Sequence, residues 1–347
     1  VVDGSNTSGF QRTALIATGG QIEYDDGLIE LDQICLEEDS CRHGENKDEY
    51  LLDRLGIPLL EITTKPQLKT PKQVQNAARA LGRLLRACKV RRGLGTIRQD
   101  VNVSIDGGER VELKGFQDLS TMAKVVENEM ERQYNLKALK GCEISKIENV
   151  TEYISKDRGI ALACKLPEWK NKLGTKESPS GHIRMGQELS DHAKKAGVKG
   201  LMHSDELPAY GISLEETEII RQQLSCNNDD AFVLIFGNQN VADDAMDRVI
   251  KRAKIEGVPK EVRRVTPEGN TRFLRPMPGA SRMYPETDIP PMILNGIEVD
   301  IPKTLDEREE ELPLNEEESR QIVSRNLDDE FYDLISQYEN PKIISRL

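Results

Sequence analysis

Apolar residues recur along this chain with two periods, and the switches between them outline its elements. Period-two runs occupy 14–17, 20–24 and 28–36, with Asp25-Asp26-Gly27 as a hairpin signal before the third. A half-buried antiparallel sheet is the simplest reading. A polar loop at 39–49 and a more apolar run at 51–62 follow. Over 72–89 the residues Val74, Ala77, Ala78, Leu81, Leu84, Leu85 and Cys88 fall at helical spacing and form one stripe. Lys72, Arg79, Arg83 and Arg86 cluster opposite, within about a 60° arc at about 100° per residue. The predicted helix buries one face and shows a cationic ridge on the other, which is either a contact for nucleic-acid phosphates or an ordinary solvated face. A second hairpin pattern spans 96–114, turning at Asp106-Gly107-Gly108, and helical spacing resumes over 121–139.

Near Gly141 the texture changes. Strand-like runs at 159–166, 198–203 and 231–236 alternate with helical ones at 183–196, 214–224 and 241–256, which marks an α/β module of its own. Residues 176–181 read as its loosest loop, and 276–291 are proline-rich and so mostly non-helical. The acidic run 306–311 leads into helical segments that begin a further domain.

At 347 residues the chain exceeds the usual size of a single core, so several domains are expected. No stretch approaches the eighteen or so apolar residues of a membrane span, and no signal peptide is visible, so the expectation is a cytoplasmic protein without a membrane partner. The net charge of -12 excludes polyanion binding by the whole surface, and a nucleic acid must therefore meet a local basic patch. Cys35, Cys41, Cys88, Cys142, Cys164 and Cys226 lie far apart without a CxxC pair, which argues against a zinc site or disulfide scaffold and for reduced thiols. The chain starts at Val1 and stops without a terminating signal, and it reads as an excised piece.

Carboxylates dominate the candidate chemistry. Glu37-Glu38-Asp39 closes a predicted strand, Glu61 sits among Leu59, Leu60 and Ile62, Asp100 and Asn102 alternate along a strand, and Glu112 stands two residues before Lys114. Mg²⁺ takes oxygen ligands, usually a few carboxylates with phosphates and water. Alternation puts Glu112 and Lys114 on one face, and likewise Asp100 and Asn102. If these faces line one cleft, metal ligands stand beside a phosphate-binding ammonium; otherwise Glu112 and Lys114 form a surface ion pair worth under about 1 kcal/mol. The apolar flanks of Glu61 predict burial, which a charge tolerates only with a partner or metal. His43, His182, His192 and His203 are scattered, and neither a GxxxxGK[ST] nor a GxGxxG loop is present, so any ATP is held without a P-loop.

Four ordered strings carry a family resemblance: Leu36-Glu37-Glu38-Asp39, Asp53-Arg54-Leu55-Gly56-Ile57-Pro58-Leu59-Leu60-Glu61-Ile62, Arg98-Gln99-Asp100-Val101-Asn102-Val103-Ser104 and Glu112-Leu113-Lys114-Gly115. They resemble the B/E subunits of glutamyl-tRNA(Gln) amidotransferases. Leu166-Pro167-Glu168-Trp169, the string from Gly200 through His203 to Gly211, and Arg275-Pro276-Met277-Pro278-Gly279-Ala280 are similar to an inserted domain shared with bacterial-type aspartyl-tRNA synthetases, which points to the archaeal E type.

The resemblance implies an α+β fold. Part of a glutamine-synthetase-like cradle with an antiparallel sheet (1–140) is followed by an inserted two-layer α/β domain (141–274), a return to the cradle (275–302) and the start of a helical domain (303–347). It also implies ATP-dependent phosphorylation of the glutamyl side chain of Glu-tRNA(Gln), then displacement of phosphate by ammonia from an asparaginase-like D subunit. By the same resemblance Glu38, Glu61 and Asp100 are metal ligands for Mg²⁺, and Asp100, Glu112 and Lys114 serve catalysis. Lys114, Tyr284 and Glu286 lie on the nucleotide side, with Asp288 nearby.

A Gly-Leu-Glu-Ile-His strand that carries further ligands in the family lies outside this sequence, so the piece is expected to be inactive or nearly so in isolation. Two alternatives stay open: a non-catalytic tRNA-binding or scaffolding module, and a piece of an aspartyl-tRNA synthetase. The second would need class II motifs, and neither an FRxE-like nor a GxGxGxxR string occurs.

Overall fold

The computed structural model describes residues 13–46, 49–91, 93, 95–116, 118–144, 146–155, 158–174, 184–277, 296, 298, 300–338 and 340–345. It is a mixed α+β structure in two compact units, Val1–Ile97 with Pro278–Leu347, and Arg98–Met277. Within the described residues no helix is long and apolar enough to cross a membrane.

In the first unit the period-two runs become β1 (Thr13–Thr18), β2 (Gln21–Tyr24) and β3 (Gly27–Glu38). β1 and β2 follow each other along one edge of β3, joined at Gly19 and Gly20, whose φ of 76° and 102° only glycine adopts cheaply. The hairpin turns at Asp25-Asp26, and Tyr24 pairs with Gly27. β4 (Arg42–His43), within the stretch expected as a polar loop, pairs with β5 (Tyr50–Leu51) just beyond it. β6 (Pro58–Thr64) takes the other edge of β3.

α1 (Pro71–Ala87) starts at a Thr70–Gln73 capping box with Pro71 in its first turn. Its buried positions are Gln75, Asn76, Ala77, Ala78 and Gly82. The expected stripe therefore holds at Ala77 and Ala78 but fails toward the C-terminus, where Leu84 is 39% exposed and Cys88 is exposed. Asn76 Nδ2 donates to Asp26 Oδ2 at 3.1 Å, which anchors a polar flank of the helix to the hairpin turn.

In the second unit a mixed sheet is built from β7 (Val101–Val103), β8 (Val111–Lys114) and two strands from much later in the chain. α2 (Met122–Lys137) follows β8. A separate antiparallel sheet has the order β11-β12-β10-β9, from β9 (Ile147–Asn149), β10 (Ile160–Leu166), β11 (Met202–His203) and β12 (Ala231–Gly237). β11 is shorter than the 198–203 run predicted for it. α3 (Met185–Lys194), α4 (Leu214–Gln223) and α5 (Gln239–Lys254) alternate with these strands as expected. Ala161, Ala163, Phe232 and Leu234 pack with Ile212, Ile220 and Leu224, while the alternate Leu162, Cys164, Val233 and Ile235 are buried too, so both faces of this sheet are covered.

β13 (Glu261–Val265) and β14 (Thr271–Pro276) complete the mixed sheet, where β13 pairs parallel to β8. The compact unit thus begins at 98, ahead of the change in texture at 140/141. At the change in texture the chain packs closely on α5: a Cβ at Gly141 would lie 2.4 Å from Lys254 O, and Cys142 N donates to Ala253 O. The chain closes back in the first unit with α6 (Leu305–Glu311), α7 (Glu316–Arg325), α8 (Asp328–Ile335) and α9 (Pro341–Ile344). Leu305, Leu312, Ile322, Val323, Phe331 and Ile344 form their core, with Ala87 of α1 against it. Arg83 of α1 reaches Asp306 at 2.5 Å and Glu309 at 3.2 Å on α6, so part of the cationic ridge is compensated within the chain.

The second unit also buries a cluster of charges. Arg263 of β13 is fully buried and donates to Glu188 (2.7 and 3.0 Å), Glu261 (2.5 Å), Thr271 Oγ1 (2.8 Å) and Thr271 O (2.9 Å). Arg132 of α2 grips Glu129 through two bonds of 2.9 and 3.0 Å, and Thr271 Oγ1 donates to Glu129 at 2.8 Å. Gln133 Nε2 donates to Glu129 and to Val103 O, which ties the cluster to β7. Three carboxylates (Glu129, Glu188, Glu261) balance three guanidinium groups (Arg132, Arg252, Arg263). Arg252 is the exception in geometry: its nitrogens have no hydrogen-bond partner among the described residues, and burial pulls its pKa down against the fields of Glu188 and Glu261.

Burial alone would raise the pKa of Glu188, yet Arg263 and Arg132 hold it well below the usual carboxylate range; Glu261 is lowered the same way by Arg263, His192 and Arg132. A carboxylate depressed in the folded state stabilises above its unfolded pKa, and that contribution is lost as pH falls through the folded value. The stability of the second unit is therefore expected to fall progressively as pH drops below 4.5, the ordinary glutamate value, toward the depressed folded values. Arg263→Ala, which strands Glu188 and Glu261, should cost roughly 3–5 kcal/mol and move the acid transition upward. Denaturant and pH titrations, with hydrogen exchange followed in α3 and β13, check both; an unchanged acid midpoint would refute the account.

Candidate active site

The mixed sheet sorts its residues by alternation. Val111 and Leu113 of β8 point inward and are fully buried, which leaves Glu112 and Lys114 on the opposite face. Antiparallel pairing sets Asn102 opposite Glu112 and Val101 opposite Leu113, so the next residue back, Asp100, arrives beside Lys114. Lys114 Nζ donates to Asp100 Oδ2 and lies 2.7 Å from Glu112 Oε1. Burial would lower the pKa of this ammonium, but the hydrogen bonds to Asp100 and Glu112 outweigh it and hold the pKa above the ordinary lysine value. The three residues singled out for catalysis from the sequence are thus brought together as one carboxylate–ammonium–carboxylate cluster.

The carboxylates of the first unit behave differently. β3 and β6 pair without irregularity from Ile34↔Ile62 through Cys35↔Glu61 and Leu36↔Leu60 to Glu38↔Pro58. Directly opposed residues share a face, so Glu61 stands with Cys35 and Glu37, whereas Glu38 lies on the other face with Leu36 and Leu60. Glu38 and Glu61, both expected as metal ligands, therefore lie on opposite faces of this sheet, and Glu37 is the acid that shares the face of Glu61. The Cys35 thiol registers the same grouping, since burial and then the charges of Glu61 and Glu37 push its pKa up. Glu61 is exposed despite its apolar sequence neighbours, which corrects the expectation of a buried acid: Leu60 is itself 56% exposed, and the run is not a core strand. The signal for Glu37 was present as its i, i+2 spacing from Cys35, but choosing between Glu37 and Glu38 needed the register with β6.

Tyr284, Glu286 and Asp288 lie outside the described residues, as does His182. Among the described residues no group of three or more His, Cys, Asp or Glu could hold a metal ion by itself. Asp100 and Glu112 nevertheless offer the donor type a hard cation takes when one or two carboxylates are supplemented by phosphate oxygens and water.

Sheets and helices in this order, with the ordered acidic strings, define a class of domain rather than a single chemistry. The GatB/GatE catalytic domain family matches residues 1–299, and the chain belongs to that family. Among its relatives, the E subunit of the glutamyl-tRNA(Gln) amidotransferase of Methanocaldococcus jannaschii is 44% identical over 377 residues, which cover 99% of this chain and 60% of the relative. Its namesake from Pyrococcus abyssi is 43% identical over 386 residues, covering 100% and 60%, and that of Thermococcus sibiricus is 45% identical over 323 residues, covering 85% and 51%. The chain thus spans about 60% of the length of the first two.

The register makes a test for the acids of the first unit. If Glu61 ligates a divalent cation, Glu37→Gln in the full-length protein should weaken Mn²⁺ binding by at least about tenfold, while Glu38→Gln leaves it unchanged. Calorimetric titration with Mn²⁺ alone reads both, and the reverse ranking would reject the shared-face assignment.

Proposed function

We propose that this chain carries the glutamyl-activating part of a tRNA-dependent amidotransferase, with Glu-tRNA(Gln) and ATP as substrates and ammonia delivered by an asparaginase-like D subunit. Family membership over residues 1–299 supports the reaction class, and the Asp100–Lys114–Glu112 cluster supports the placing of the chemistry. In that reaction the glutamyl carboxylate attacks the γ-phosphorus, ADP leaves, and ammonia then replaces phosphate at the acyl carbon to give Gln-tRNA(Gln). Two anions must approach each other in the first step, so fixed positive charge has to offset their repulsion. Mg²⁺, when bound, would supply part of that charge.

Within this reading Asp100 and Glu112 hold Lys114 extended and protonated, with its ammonium fixed on the open face of β8. Lys114 neutralises a phosphate oxygen, and the two carboxylates offer oxygen ligands to the divalent cation. The glutamine-synthetase-like cradle and the synthetase-like insertion are the finer architectural form of the proposal, supported by the ordered sequence strings of each. Arg79, exposed on α1 and distinct from the compensated Arg83, is the side chain of the cationic ridge best suited to a tRNA phosphate.

Lys114→Met in the complete protein, assayed with its partner, should lower the rate of glutamyl phosphorylation by at least about a hundredfold, with tRNA affinity retained. Single-turnover transfer of labelled γ-phosphate and a tRNA filter-binding assay separate the two. Full phosphorylation by the variant would eliminate this site, whereas loss of tRNA binding alone would favour the scaffolding alternative.

A further inference from the structure

The face that carries Lys114 continues onto β13. Parallel pairing sets Arg264 directly beside Lys114 and Val262 beside Glu112, on strands about 4.8 Å apart. Arg263 points inward into the buried charge cluster, so alternation turns Arg264 outward, and it is exposed. Across the next pairing Arg264 stands opposite Arg272 of β14.

Three cations therefore lie in one row across β8, β13 and β14, and their circumstances differ. Lys114 is compensated by Asp100 and Glu112, and Arg272 by Asp191 through two bonds of 2.5 Å. Arg264 has no hydrogen-bond or ion-pair partner among the described residues. Lys114 is followed by Gly115, at φ 88°, and a Cβ there would meet Arg264 Cγ at 3.9 Å, so the stem of Arg264 runs over a position that carries no side chain.

The charge balance decides what such a row can bind. Asp100, Glu112 and Lys114 together carry a net -1, which by itself repels an approaching polyphosphate. Of the three cations in the row, Arg264 is the one without a carboxylate partner among the described residues, and a guanidinium presents paired N–H donors that match phosphate oxygens.

We propose that Arg264, on β13, is a phosphate-binding residue of this site that takes the polyphosphate of the nucleotide together with Lys114, whose own charge is already offset by its carboxylates. This rests on the reading that the Lys114 cluster is the nucleotide site. It also gives β13 two duties at consecutive residues: Arg263 locks the interior and Arg264 meets substrate.

The test uses the full-length protein in complex with its partner and a non-hydrolysable ATP analogue with Mg²⁺, titrated by calorimetry. R264M should bind the analogue about tenfold or more weakly, and R264K should recover part of the loss. The thermal unfolding midpoint of R264M should match the wild type, because the side chain has no hydrogen-bond or ion-pair partner among the described residues to lose. K114M, run in parallel, separates the two ideas. If K114M weakens the analogue and R264M does not, the role of Arg264 is overturned and the site reading stands. If neither changes the affinity, both fall.

Discussion

The buried charges around Arg263 are the constraint on which the second unit depends. A guanidinium with every N–H donor used, between Glu188 of α3, Glu261 of its own strand and Thr271 of β14, tolerates little displacement of any of these elements. Arg132 and Gln133 extend the same network to α2 and β7. Desolvating six charges costs several kcal/mol each before pairing offsets it, so the network acts less as a source of net stability than as a demand for one arrangement. Arg252 sharpens that demand, since it balances charge without a hydrogen-bond partner among the described residues.

That interior fixes the outer face. With Val111, Leu113, Arg263 and Glu261 committed inward, Asp100, Glu112, Lys114 and Arg264 are forced outward on three neighbouring strands. β13, far along the chain, is therefore structural support for the acidic strings that precede it.

Much of the candidate site was legible because it is local. Asp100, Asn102, Glu112 and Lys114 lie on two strands joined by one short hairpin, and alternation together with a turn at 106–108 was enough to bring them to one face. The α1 stripe was less legible, for a polar anchor, Asn76 to Asp26, sets which side turns inward as firmly as hydrophobicity does. Glu37 and Glu38 show the limit most plainly. Adjacent acids in a strand occupy opposite faces, and a motif that contains both does not say which one meets Glu61.

The sequence by itself determined the elements, their order and the family, because periodicity, caps and turn residues act over a few positions. It also determined that Lys114 would have carboxylate neighbours. Only the tertiary structure decided that Glu37 stands with Glu61, that the unit begins at 98, and that Arg264 lies beside Lys114 while Arg263 is buried. Those outcomes are matters of register and of pairing between segments far apart in the chain. They are set by which surfaces bury one another, and a strand such as Glu261-Val262-Arg263-Arg264-Val265 carries no local pattern that tells its inward arginine from its outward one.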